Sequence, residues 1–282
     1  MDEPAYLMTP TGVRMPRLIY GTAWKKEKTP ELVAQAVQMG FAGLDTAGQP
    51  KHYSEEGLGQ GIKAVEKNGI QRNALFLQTK FTSLGGQDPS RLPYDPRAPL
   101  DAQVVQSFAS SKKNLATHYV DSLLLHSPMR TFEETLVVWR AMEGIHRTGE
   151  AKLLGISNCY ELDVMKKLHQ NAEVKPSVLQ NRFYQDTGYD KALRSWCQDK
   201  GIIYQSFWTL TANPHILRNQ VIQSMAQSRQ KTPAQIFFRY LTQEGIVPLT
   251  GTTSGQHMKE DLEIFDFELS SVELKAVEGL LT

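Results

Sequence analysis

The chain has 282 residues, of which 40% are apolar, 22% charged and 9% aromatic, which excludes a disordered, collagen-like or coiled-coil protein. Its 31 basic residues nearly balance 30 acidic ones, for a net charge of +1. That excludes a global field for nucleic acid or an anionic membrane. Cys159 and Cys197 stand far apart and outside any CxxC spacing, so no disulfide framework and no metal site is expected. The start, Met1-Asp2-Glu3, is acidic where a secretory leader is basic, and no long apolar run follows. A cytoplasmic protein, monomeric and without a membrane or nucleic-acid partner, is expected.

The first predicted element is a hairpin over 7–16, turning at Thr11-Gly12 and placed to plug the bottom of a barrel. Residues 18–22 form an apolar strand. Thr29-Pro30-Glu31 opens a helix with a capping residue, an early proline and a first-turn acid, and Gly40 ends it. Strand 41–45 follows, then a helix from Ser54 with Leu58, Ile62 and Val65 on one face. Strands over 74–80, 120–126, 151–157, 176–181, 201–207 and 245–250 alternate with helices over 101–117, 131–146, 160–170, 189–199, 214–229 and 232–243. A last helix covers 270–280 and reaches almost to Thr282.

Eight strand-then-helix units of roughly 35 residues imply parallel pairing with right-handed crossovers and the arithmetic of an α/β, (β/α)8 TIM barrel in one domain over 1–282. A doubly wound sheet would carry a Gly-x-Gly-x-x-Gly turn after an early strand. The nearest match, Gly57-Leu58-Gly59-Gln60-Gly61, falls inside a helical pattern.

Barrel chemistry sits at the C-terminal ends of strands. There stand Asp45, Lys80 and His126, with Tyr53 in the loop leaving the second strand. Singly, each has an ordinary structural reading: a helix cap, a solvated charge, a packing ring, a core histidine. Together they bring an acid, a lysine, a tyrosine and a histidine to one rim.

Gly43-Leu44-Asp45-Thr46-Ala47, Tyr53-Ser54-Glu55-Glu56, Gln78-Thr79-Lys80, Leu124-Leu125-His126-Ser127-Pro128, Gly155-Ile156-Ser157-Asn158 and Leu179-Gln180-Asn181 occur in one order along nearly the whole chain. In this the sequence resembles the aldo-keto reductase family. The resemblance implies hydride transfer from a nicotinamide cofactor to an aldehyde or ketone, with Asp45, Tyr53, Lys80 and His126 as the catalytic tetrad. Hydride addition builds negative charge on the carbonyl oxygen, so a proton donor is needed there. Tyr53 takes that role, its pKa expected to fall beside the Lys80 ammonium. Asp45 orients Lys80, and His126 bonds the substrate oxygen or relays a proton. A cofactor-binding sensor or auxiliary subunit on the same fold, or a Schiff base on Lys80, are the alternatives.

The same resemblance implies cofactor contacts at Gly21, Thr22, Asp45, Ser157, Asn158 and Gln180, the last three on the nicotinamide carboxamide. Two stretches depart from the family. The stacking ring falls at Gln205 in Tyr204-Gln205-Ser206, which leaves stacking to Phe207 or Trp208 or removes it. The phosphate stretch reads Leu249-Thr250-Gly251-Thr252-Thr253-Ser254, then His257 and Asp261, with leucine replacing the family's lysine and histidine near its arginine. NADPH is the first expectation, NADH or dual use the alternative. Trp24, Tyr53, His126 and Trp208 are the expected substrate contacts. The Gly/Pro-rich loop 83–100 is expected to wall a comparatively open site for a small carbonyl compound.

Overall fold

The computed structural model describes residues 5–282, and the acidic start at 1–4 lies outside it. Strands β1 (Tyr6–Met8) and β2 (Arg14–Pro16) pair antiparallel, with Leu7 opposite Met15. Gly12 turns the hairpin with φ +80°, a left-handed conformation that costs glycine nothing. Eight parallel strands follow: β3 (Ile19–Gly21), β4 (Gly43–Asp45), β5 (Phe76–Phe81), β6 (Val120–Leu125), β7 (Ala151–Ser157), β8 (Val178–Arg182), β9 (Ile203–Phe207) and β10 (Val247–Thr250). They pair in chain order, and β10 closes on β3. The fold is a (β/α)8 barrel with an N-terminal hairpin.

The surrounding helices are α1 (Thr29–Met39), α2 (Glu55–Glu66), α3 (Leu100–Leu115), α4 (Phe132–Arg147), α5 (Leu162–Asn171) and α6 (Lys191–Asp199), then α7 (Pro214–Leu217), α8 (Gln220–Arg229), α9 (Pro233–Gln243), α10 (Gly255–Leu262) and α11 (Ser271–Glu278). The helix expected over 214–229 is broken in two, because the Asn219 side chain accepts from Val221 N and so caps a new helix. Thr29 does not cap α1 as expected: Lys28 is the flanking residue, and the Thr29 hydroxyl donates to Lys26 O instead. The glycine run in α2 serves packing. A Cβ on Gly59 would lie 2.3 Å from Asn114 O, so glycine is what lets α2 lie against α3.

Inside the barrel, Ile19, Phe76, Leu124, Leu153, Val178, Val247 and Leu249 pack together, and Met15 from the hairpin seals the N-terminal end. Towards the C-terminal ends the filling turns polar, through Gln78, Gln180 and Gln205 to Asp45 and Lys80, all buried. Buried polar groups at such density must be bonded to one another, and this layer carries the site. Among the described residues, no helix is long and apolar enough to cross a membrane, and no cluster of His, Cys, Asp or Glu could hold a metal ion.

Candidate active site

Asp45 ends β4 and Lys80 lies near the end of β5, so strand pairing brings them side by side. Lys80 Nζ donates to both Asp45 carboxylate oxygens at 2.6 Å and to Thr46 O at 2.9 Å. With three acceptors filled and a side chain only 1% exposed, Lys80 offers no amine to a carbonyl, which disfavours a Schiff base. Burial lowers the Lys80 pKa against the opposing pull of Asp45 and of buried Glu55. Glu55 accepts from Thr79 Oγ1 at 2.6 Å, and burial raises its own pKa.

Tyr53 lies beside this pair, with Lys80 Nζ 5.4 Å from its ring centroid. Its phenol has no hydrogen-bond partner among the described residues and lines a cavity of about 1240 Å³. The expected fall in its pKa is not what this environment produces. Burial raises it strongly and the Asp45 charge raises it further. Lys80 is held by a carboxylate, and a neutralised pair exerts little net pull on a neighbour.

His126 follows β6 and meets Tyr53 edge-on, with ring centroids 6.0 Å apart. Its Nδ1 is 2.7 Å from Thr82 Oγ1, which fixes the ring and leaves Nε2 on the cavity side. Burial first, then the charges of Lys80 and His52, lower its pKa to about 3, so the imidazole is neutral at physiological pH. Above pH 6.5 the residue is neutral folded and unfolded. Between 6.5 and about 3 only the unfolded chain takes up its proton, so folding loses about 1.4 kcal/mol per pH unit from this group. His126→Gln is expected to flatten that part of the curve, read as urea midpoints between pH 4 and 7. An unchanged slope assigns the acid sensitivity elsewhere.

The nicotinamide-side residues form a connected set. Ser157 Oγ donates to Gln180 O at 2.7 Å, and Asn158, in the left-handed region at φ +51°, donates from Nδ2 to His126 O at 2.8 Å. Gln180 Nε2 is spent on Asp45 Oδ1 and Gln205 Oε1, which leaves Gln180 Oε1 as the acceptor on the cavity side. Gln205 does not reach the cavity. It lies within the barrel, bonded to Gln78 at 2.8 and 3.2 Å and to Met15 Sδ at 3.6 Å. Tyr204 points the other way, as strand alternation requires, and donates to Asp190 at 2.8 Å. Phe207, two residues beyond Gln205 on the same strand face, lines the cavity in its place.

At the far end, Leu249, Thr250, Gly251, Thr252, His257 and Asp261 line the cavity together with Gly21. Thr250 Oγ1 donates to Asp261 Oδ2 at 2.7 Å, and burial pushes the Asp261 pKa up to about 6. Five expected cofactor contacts lie off the wall. Thr22 is buried with its hydroxyl on Asp45 O, and Gln205 is internal. Ser206 is turned away to accept from Thr209, Ser254 caps α10, and Thr253 is not among the lining residues. The fold adds a cation that the motifs did not mark. Lys25, 7% exposed, donates to Gly251 O at 2.6 Å, with burial lowering its pKa to about 8.

On the open side, Trp24, 58% exposed, stacks on His52 with centroids 3.9 Å apart, and Trp208, 48% exposed, stands across the mouth. Of the 83–100 loop, only Ser83, Gly85 and Gly86 reach this cavity. The loop is tied down: Gln87 Nε2 donates to Gly48 O, Gln49 Nε2 to Gly86 O, and the Tyr94 hydroxyl to Thr82 O. Leu92 and Pro93 face a second hollow beside α2 instead.

The profile of the aldo/keto reductase family matches residues 17–282. The chain belongs to the aldo/keto reductase family. It is 30% identical over 273 residues to a glyoxal reductase of Bacillus subtilis, covering 95% of this chain and 90% of that protein. A methylglyoxal reductase of Yersinia pestis is 26% identical over 272 residues, covering 95% and 90%. The crystal structure of an aldo/keto reductase from Brucella melitensis superposes with a TM-score of 0.82 at 26% identity, covering 98% of each chain. As an aldo/keto reductase this chain is an oxidoreductase of the carbonyl-reducing kind.

Sequence reasoning missed Lys25, His52, Arg182 and Arg218 on or behind the wall of this reductase's cavity. Arg182 alone carried a signal: it ends a strand two residues after Gln180, and so shares Gln180's face.

Proposed function

We propose that this protein is an NAD(P)H-dependent reductase of small aldehydes and ketones, with Tyr53 as the general acid. The observation that carries the reading is the unpartnered Tyr53 phenol facing the same cavity as neutral His126, with the Lys80–Asp45 pair directly behind it. The cavity fits a dinucleotide together with a small substrate. It exceeds the volume of ordinary ligand pockets and runs from these residues to the Thr250–Thr252 turn. Gln180 Oε1 offers an open acceptor for a carboxamide, with Ser157 and Asn158 on the wall beside it, and Phe207 offers a ring face in place of Gln205.

Bound there, a reduced nicotinamide supplies hydride to the carbonyl carbon. Tyr53 delivers its proton to the carbonyl oxygen. Its raised pKa keeps the phenol protonated until charge develops on that oxygen. Neutral His126, oriented by Thr82, donates a hydrogen bond to the same oxygen and holds it in place. Lys80, 5.4 Å from the Tyr53 ring centroid, is the nearest positive charge to the phenolate left behind, its pull partly offset by Asp45, which keeps Lys80 charged and aimed.

The assay is loss of 340 nm absorbance (~340 nm for reduced nicotinamides) with methylglyoxal or an aromatic aldehyde; absence of turnover with either cofactor refutes the reading. For the cofactor, one charge-assisted hydrogen bond contributes about 1.5–3 kcal/mol. The phosphate turn has no lysine or arginine of its own, and Lys25 is engaged with Gly251 O. We therefore expect KM for NADH and NADPH to differ by no more than about tenfold. A difference of several hundredfold towards NADPH means that a cation, Lys25 or Arg218, swings onto the 2′-phosphate.

A further inference from the structure

Arg182 is the last residue of β8, opposite Phe207 of β9 and one inward-facing position above Gln180. Its guanidinium carbon stands 4.2 Å over the Trp208 ring and 5.2 Å from that of Tyr184. Among the described residues no carboxylate lies within ion-pair distance of it, and none of its guanidinium nitrogens donates a hydrogen bond. Nε is buried without a partner. Of the other arginines near the rim, Arg91 pairs with Asp88 and Arg97 with Asp95, both out in the 83–100 loop, while Arg218 lines the same cavity but is not stacked on these rings. The acids that line the cavity are also accounted for. Asp45 is held by Lys80, while Glu260 and Asp261 sit with His257 on α10 at the opposite end.

A planar cation stacked on two rings at a cavity wall, half-buried with Nε enclosed and no anion beside it, is a poorly satisfied group. A carboxylate accepting two parallel N–H bonds is the geometry that satisfies it. On the same side, Trp24 and Trp208 present apolar faces. The geometry points to Arg182 as a specificity-determining residue that selects carbonyl substrates bearing a carboxylate on an apolar body. This inference rests on the carbonyl-reductase reading above and names the substrate class of that site. Arg182 acts on binding: it anchors the carboxylate so that the carbonyl at the other end of the molecule lies between Tyr53 and His126.

The test compares 4-carboxybenzaldehyde with 4-methylbenzaldehyde, two rings of nearly equal size, on the full-length wild type, Arg182→Met and Arg182→Lys. Wild type is expected to favour the carboxylate in kcat/KM. Arg182→Met lowers the ratio of the two kcat/KM values by about 10- to 100-fold, chiefly through KM, the range expected for hydrogen bonds to a charged group. Arg182→Lys restores part of the ratio. Equal losses on both substrates, an unchanged ratio, or an effect confined to the cofactor's KM each overturns the inference. A second arm does not need turnover: calorimetric binding of 4-(hydroxymethyl)benzoate and 4-methylbenzyl alcohol to protein with oxidised cofactor. The carboxylate is expected to bind tighter in wild type and to lose that margin in Arg182→Met. Equal binding overturns the proposal even if no aldehyde is reduced, whereas failure to reduce either aldehyde with this margin intact counts against the reductase reading alone.

Discussion

Tyr53→Phe is expected to lower kcat for aldehyde reduction by about 10²- to 10⁴-fold, the range over which positioned general acids contribute. The substitution removes one oxygen. Because the phenol has no hydrogen-bond partner among the described residues, no buried group is orphaned by its loss, and stability should change little. Cofactor affinity, read by quenching of tryptophan fluorescence, should hold, since Ser157, Asn158 and Gln180 are untouched. The combination of lost kcat, kept fold and kept cofactor binding is the signature of a proton donor. A kcat within about threefold of wild type assigns the proton to His126 or water and ends the role given to Tyr53.

Lys80→Met is expected to reduce both activity and stability. Asp45 then faces Gln78 and Gln180 as a buried carboxylate without its counter-ion. Breaking one side of a buried pair costs about 3–5 kcal/mol. For a chain of this length that corresponds to a large fall in urea midpoint, visible by circular dichroism. Turnover should fall as well, because the phenolate loses its nearest positive charge while the Asp45 carboxylate stays beside it. Asp45→Asn with Lys80→Met removes both charges and should recover part of the stability without recovering kcat. If the double variant is no more stable than Lys80→Met, the pair is not the electrostatic unit described here.

Much of this was legible from strand ends. The alternation of strand and helix gave the barrel, and Asp45, Lys80, Tyr53 and His126 converge because each ends or follows a strand in a parallel sheet whose top is one surface. What escaped reading has two physical origins. Side-chain direction within a strand decides whether a residue faces the cavity, the barrel axis or a helix. Thr22, Gln205 and Ser206 fall within motif-bearing stretches yet point elsewhere. Cations recruited over long separations leave no local pattern: Lys25 meets Gly251 across 226 positions. The rise in the Tyr53 pKa was hidden as well, since a lysine's effect on its neighbour depends on what already neutralises it.

The amide cluster under Asp45 constrains how this sequence can change. Gln78, Gln180 and Gln205 satisfy one another, and two of them also bond the carboxylate. Placing a tyrosine at 205 alone would bring in a ring while taking one partner from each of the Gln78 and Gln180 amides, leaving them only Asp45, and pressing on Met15 below. An apolar residue at 78 alone would leave the Gln205 Nε2 with only the weak Met15 sulfur acceptor. Each single step passes through a less stable protein, while the joint change need not. Position 205 is therefore held by its neighbours rather than by the cofactor, and a lineage carrying this cluster would keep it or exchange it as a block.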